Sequence, residues 1–222
     1  PQSQYLDQNK EAEERIYEGE TPGVSYGDIA ERYYTVGQYM KEVKDVSKAM
    51  AAAGDSYICD EYLNAMGSPE AESVYVLHDL NNDGIEEFFI GLKFNYDIPY
   101  YVIYDVYTWK DGRAYQLMRG IGYRNGSCKI CENGVIEDNY SGSAWDGQTL
   151  YHILPEGGIE LETIDSVSSR RDGTVQSYYH WNELIDENSL QTILEQYQPE
   201  SVTYVDCNRE TIEQLRLSGI RK

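Results

Sequence analysis

Six glycine-containing turn dipeptides punctuate one stretch of the chain: Asp83-Gly84, Asp111-Gly112, Asn133-Gly134, Asp146-Gly147, Gly157-Gly158 and Asp172-Gly173. Between them lie short runs rich in β-branched and aromatic residues, at 73–79, 85–93, 99–109, 113–119, 127–131, 135–138, 149–154, 159–165 and 174–180. Asp-Gly and Asn-Gly supply the positive φ angles of tight hairpins, so this pattern predicts an antiparallel meander of about seven to nine strands. No helical pattern separates the runs, which argues against a parallel doubly wound sheet. The turn spacing is irregular and the aspartate-rich loop occurs once, which argues against a propeller.

Helical signals lie on both sides of the meander. Ile29, Tyr33, Val36, Met40, Val43, Val46 and Met50 repeat at spacings of four and three, predicting an amphipathic helix with Asp28 as N-cap and Gly54 as stop. A shorter helix is expected from Ser56, with Ile58, Tyr62, Leu63 and Met66 inward and Gly67 as its end. After the meander, Leu190, Ile193, Leu194 and Tyr197 follow a capping candidate at Asn188, and Pro199 ends that helix. Val202 to Val205 reads as extended, and a last helix capped by Asn208 carries Ile212 and Leu215. Helices segregated to both sequence ends of an antiparallel sheet make the fold class α+β, a single domain over 26–222. Residues 1–25, with Asp7, Glu11, Glu13, Glu14, Glu18 and Glu20 and few apolar positions, read as an acidic tether or arm, partly helical between Asn9 and Tyr17.

The 222 residues carry 39 acids against 18 Lys and Arg, a net charge of −21. Such a surface repels phosphate backbones and anionic headgroups, so nucleic acid is not an expected partner. The longest strongly apolar stretch, Tyr100 to Trp109, is interrupted by Asp105, so no transmembrane span is expected in this chain. The chain begins at Pro1 without Met, and a removed upstream segment is expected.

Cys59, Cys128, Cys131 and Cys207 allow ordinary thiols, a disulfide in an oxidising compartment, or metal or redox chemistry. Cys128 and Cys131 precede an Asn-Gly turn and look like strand residues, which places them about 10 Å apart on opposite faces, too far to bridge.

The loop Asp79-Leu80-Asn81-Asn82-Asp83-Gly84-Ile85-Glu86-Glu87 is the most specific motif. Hard cations need several oxygen ligands, and alternate side chains of a tight loop can converge on one point. Asp79, Asn81 and Asp83 would supply side-chain oxygens, Ile85 its carbonyl and Glu87 a closing carboxylate, a set that suits calcium. An EF-hand needs an acid at loop position twelve, here Ile90, so the site would be a strand-loop-strand version. Equally, Asn-Asp-Gly suffices for a plain turn, with Glu87 paired elsewhere.

The string Tyr75 to Glu87, with Tyr104-Asp105-Val106-Tyr107-Thr108 and the following Asp-Gly turn, resembles a group of uncharacterised exported proteins and lipoproteins of Gram-positive bacteria. Those carry a Y-x-L-x-D-[IL]-[ND]-x-D-G-x-x-E hairpin after an N-terminal helical segment, and the resemblance covers 56–165. It implies a signal peptide and a lipid anchor upstream of Pro1, hence an extracellular or cell-surface location, and it implies no activity. The aspartate pattern is also similar to calcium loops of integrin-type propellers, from which this chain departs in its single copy.

Three histidines, His78, His152 and His180, are scattered in sequence and suggest no metal cluster. Ser143 lacks the G-x-S-x-G setting of a hydrolase nucleophile, and no glycine-rich phosphate loop opens a helix. Paired carboxylates of a glycosidase cannot be picked out from so many acids. The reading is therefore a non-enzymatic domain with a structural calcium site. A second reading draws on the 22 Tyr against 3 Phe and 3 Trp. Tyr101, Tyr107 and Trp109 share a strand face with Asp105, opposite Tyr100 and Tyr104, and with Trp145 and Trp181 they are the candidate contacts of a carbohydrate- or peptide-binding module. Alternatively, tyrosine rings fill the core with their hydroxyls at water.

Overall fold

The computed structural model describes residues 16–20, 25–53, 58–122, 128–141, 145–155, 158–168, 175–181 and 183–218. The fold is α+β and its sheets are antiparallel. All nine runs named above are strands: β2 (Ala71–His78), β3 (Glu87–Phe94), β4 (Tyr100–Lys110), β5 (Arg113–Arg119), β6 (Cys128–Cys131), β7 (Val135–Ser141), β8 (Trp145–Ile153), β9 (Ile159–Ser168) and β10 (Val175–His180). Three short strands join them: β1 (Ile16–Glu20) and β11 (Glu183–Ile185), which lack a signal of their own, and β12 (Val205–Asp206), at the end of the stretch read as extended. They form two sheets, ordered β1-β5-β4-β3-β2-β12 and β11-β10-β9-β8-β7-β6. The chain clusters into two compact units, one holding 122–201 with 79–84, the other 17–78, 85–121 and 202–222. Apart from β1, the acidic arm lies outside the described residues, as do Gly54 and Ser56.

In the unit built on the first sheet, helix α1 (Tyr26–Val43) starts at Ser25, not Asp28. Asp28 is the third helical residue of a capping box: Ser25 Oγ accepts the Asp28 N–H, and the Asp28 carboxylate accepts the Ser25 N–H at 3.1 Å. The expected single helix is two. Lys44 adopts φ 52°, and α2 (Val46–Ala53) restarts with Asp45 accepting the Lys48 N–H at 3.1 Å. Val43 and Val46 remain in phase across the break, so periodicity cannot register it, yet Val43 is exposed. Helix α3 (Asp60–Met66) buries Tyr62, Leu63 and Met66 and stops at Gly67, as expected. Helix α5 (Arg209–Ser218) is capped by Asn208, whose side chain accepts the Glu210 and Thr211 N–H groups.

These helices and the sheet bury one core that includes Tyr33, Met40, Tyr62, Phe88, Ile90, Tyr104, Tyr107, Ile212 and Leu215. The alternation expected along β4 does not hold. Ile90 pairs with Asp105 but Gly91 pairs with Ile103, so Tyr104 is an extra residue, and a second register shift follows at Val106/Tyr107. Tyr104 and Tyr107, expected on opposite faces, therefore enter the same core. Gly91 permits the bulge, because a Cβ there would lie 2.1 Å from the Val102 carbonyl oxygen.

Several tyrosine hydroxyls in this core bond to each other and to polar side chains, as buried hydroxyls must. Tyr62 shares a 2.6 Å bond with Ser73. Tyr33 donates to the carboxylate of Asp105 and lies 3.0 Å from the Tyr107 hydroxyl. Asp105, fully buried, also accepts the Gly120 N–H at 2.9 Å. Burial pushes its carboxyl up to about 6, against the opposing pull of these donors and of the Arg119 charge.

In the other unit the second sheet is a run of hairpins. Asn133 and Gly134 take φ 65° and 79° between β6 and β7, as an Asn-Gly turn demands. Helix α4 (Glu187–Leu194) is capped by Asp186, which accepts the Ser189 N–H at 2.8 Å; Asn188 lies inside the helix. Leu190, Ile193, Leu194 and Tyr197 pack on Cys131, Val135, Leu150 and Ile164. Beyond the helix the chain covers the β6 edge: Glu132 N–H bonds to Gln198 O and Glu200 N–H to Ile130 O. Cys128 and Cys131 lie at the two ends of β6, and all four cysteines are buried and outside any disulfide. Burial raises the Cys131 and Cys207 thiols to about 12, which keeps them unreactive.

Candidate functional site

Three neighbouring strands of the second sheet converge on one carboxylate. His152 on β8 pairs in register with Glu160 on β9, and His180 on β10 with Ile164. Side chains two apart share a face, so Glu160, Glu162 and Ile164 bring Glu162 between the histidines. His152 Nε2 lies 2.9 Å from Glu162 Oε2 and His180 Nε2 lies 2.6 Å from Oε1. Tyr197, just past α4, donates its hydroxyl to Oε2 at 2.7 Å. Burial alone would raise the Glu162 carboxyl, but the donors from His152, Tyr197 and His180 outweigh it and hold the carboxyl at about 2. An ionised carboxylate only accepts, so both histidines place their proton on Nε2 and, while neutral, keep Nδ1 as an acceptor. Burial and the Glu162 acceptor in turn raise the Tyr197 hydroxyl.

Two members of this network, His152 and Glu162, line a cleft of about 340 Å³ together with Glu160, Leu161 and Trp181. The histidine side chains are each 26 % exposed, so they are reachable from solvent. Trp181 stands at the β10–β11 turn, where His180 pairs with Glu183. Its φ is 52°, its N–H donates to Thr163 O at 3.1 Å, and 53 % of it is exposed. A left-handed conformation costs a non-glycine residue roughly 1–2 kcal/mol, and Asn or Gly is the usual occupant. The chain thus accepts local strain to hold an indole in solvent beside the cleft.

The expected aromatic face of β4 takes another form. Tyr107 is 1 % exposed and belongs to the core, beyond the reach of any ligand. Tyr101 is half-buried and stacks on Tyr204 at a centroid distance of 4.0 Å, and Trp109 packs edge-on against Tyr26 at 5.8 Å. Trp145 lies in β8, and its side chain lies outside the described residues, as does Ser143. The exposed rings of this region are instead Tyr96 and Tyr100, stacked with Phe94 at the β3–β4 turn.

The aspartate loop curls on itself. The Asp79 carboxylate accepts the N–H groups of Asp83 at 3.1 Å and Gly84 at 3.0 Å. Asn81 accepts the Asp83 N–H at 3.2 Å and donates to Leu154 O at 3.0 Å and towards Asp83 Oδ2 at 3.4 Å. Asn82 and Gly84 take φ 58° and 85°, the signature of a tight turn. These residues belong to one compact unit, whereas Ile85 and Glu87 belong to the other. Glu87 is buried and accepts the Thr108 hydroxyl at 3.1 Å. Among the described residues no group of three His, Cys, Asp or Glu side chains converges as metal ligands do. The Glu162 cluster fits that result, since each ring nitrogen faces a different carboxylate oxygen at hydrogen-bond distance.

Two of the three histidines that look scattered in sequence, His152 and His180, thus meet on one carboxylate, whereas His78 lies in β2. The available signal was hairpin arithmetic: His152 and Glu160 flank the Gly157-Gly158 turn. Comparison with protein-family models, curated proteins and solved structures gives no match.

Proposed function

We propose that this protein is a carbohydrate-binding module whose contact surface is the Trp181 cleft. The observation that carries the proposal is Trp181 itself, half-exposed at the cleft rim in a backbone conformation that disfavours it. A sugar ring stacks its C–H face on an indole, and hydroxyls meet fixed donors and acceptors around it. Glu160, His152 and the Glu162 network supply those groups, and the hydrogen bonds that lock Glu162 reduce the ordering cost on binding. Binding rather than hydrolysis is favoured because a glycosidase acid needs a raised carboxyl, whereas Glu162 is held at about 2. An exported, surface-tethered setting, suggested by the hairpin motif, suits such a role. Titration with β-1,4-linked oligosaccharides is expected to perturb tryptophan fluorescence, and Trp181→Ala to abolish binding with the fold intact. Wild-type affinity in that variant would refute the proposal.

A second reading retains calcium at the 79–84 loop as a structural ion, supported by the way the main chain wraps the Asp79 carboxylate. Millimolar calcium is expected to raise the melting temperature relative to chelator, and Asp83→Ala to remove that difference. Superimposed wild-type melting curves would dismiss the ion.

A further inference from the structure

We infer that the ligand of the Trp181 cleft carries an ammonium group, which makes it an amino sugar rather than a neutral or acidic one. The inference rests on the carbohydrate reading and concerns only which sugar fits. Of the five cleft-lining residues, two are carboxylates, one is a histidine and none is Lys or Arg among the described residues. Glu162 is an anion at every pH of physiological interest, because its three donors stabilise its charged form. Those donors are a tyrosine and two histidines that bring no fixed positive charge, so the cluster stays net negative while the imidazoles are neutral. Glu160 is exposed and shares the cleft wall. Its register partner is His152, which directs its Nε2 to Glu162.

The indole adds to this preference. Among aromatic side chains the face of a tryptophan attracts an ammonium most strongly, and Trp181 lines the same cleft as both carboxylates. A sugar with an ammonium group can meet both an indole face and negative charge within the one cleft. A neutral hydroxyl at the same position gains only hydrogen bonds, and a uronic or sialic acid meets like charge from Glu160, Glu162 and the overall charge of −21.

Three β-1,4-linked tetramers that differ at carbon 2 separate these cases: glucosamine (ammonium), N-acetylglucosamine (neutral amide) and glucose (hydroxyl). Calorimetric titration of the full chain at pH 7 and 0.1 M salt is expected to show the glucosamine tetramer binding at least tenfold more tightly than the other two. Glu160→Gln is expected to narrow that ratio at least threefold, and Trp181→Ala to abolish binding of all three. Equal or tighter binding of the neutral tetramers would overturn the ammonium inference while leaving a carbohydrate module standing. A glucosamine preference that Glu160→Gln leaves untouched would assign it to the general surface charge and also overturn the inference. If none of the three binds, the carbohydrate reading itself fails.

Discussion

Asparagine in place of Asp105 should stabilise the protein at neutral pH while removing part of its pH dependence. Asp105 is fully buried, and its carboxyl is raised from an ordinary 3.8 to about 6. A raised folded-state value means that the associated stability is fully present below 3.8 and is lost as pH rises through about 6. A shift of about two units at 1.36 kcal/mol each corresponds to about 3 kcal/mol lost between those limits. Asparagine keeps an oxygen to accept the Gly120 N–H and turns a donor towards the Tyr33 hydroxyl, which can then donate onward to Tyr107. Allowing about 1 kcal/mol for the weaker neutral bonds, Asp105→Asn should gain about 2 kcal/mol at pH 8 and lose about 1 kcal/mol at pH 4. Urea unfolding followed by circular dichroism at intervals from pH 4 to 8 reads the difference directly. A variant less stable than wild type at pH 8 by the same amount as at pH 4 would refute the reasoning, because it would mean that the carboxylate is ionised and stabilising throughout.

Other substitutions probe the remaining features. Trp181→Asn relieves the left-handed strain and should raise stability by roughly 1 kcal/mol in urea melts while eliminating oligosaccharide binding. Glu162 has a depressed carboxyl, so its stabilisation is present above the ordinary 4.5 and is lost as pH falls through about 2. Glu162→Gln should therefore lower stability at pH 7 and flatten the acid limb of the unfolding curve. Gly91→Ala drives a Cβ onto the Val102 carbonyl and should cost about 3 kcal/mol or prevent folding, as expression yield and melting would report. Gly37→Ala meets the flexible end of Met66 and should cost much less by the same measures.

Much of the β architecture was legible because its turns are local chemistry: Asp111-Gly112 and Asn133-Gly134 take positive φ between paired strands, whereas Asp146-Gly147 carries the same turn signal and lies inside β8. Strands β1 and β11 escaped because they are short and are defined by the partner they join. The bulge at Tyr104 escaped because period-two alternation assumes an uninterrupted register, and one added residue reverses every face beyond it. That single shift is why Tyr107, read as a surface contact, lies in the core. The break at Lys44 was hidden by apolar spacing that stays in phase across it. Trp181 was identifiable as a tryptophan beside a turn. Its neighbours His152, Glu162 and His180, however, come together only when strand register is known, and nothing in composition marks them.

The most direct test of the Trp181 cleft as the contact surface is a ¹⁵N–¹H NMR titration of the full chain with the glucosamine tetramer. The Trp181 indole N–H and the backbone amides of 152, 160–163 and 180 are expected to shift together and saturably. Shifts confined to the Tyr96–Tyr100 turn, or no shift at all, would contradict the assignment of function to this cleft.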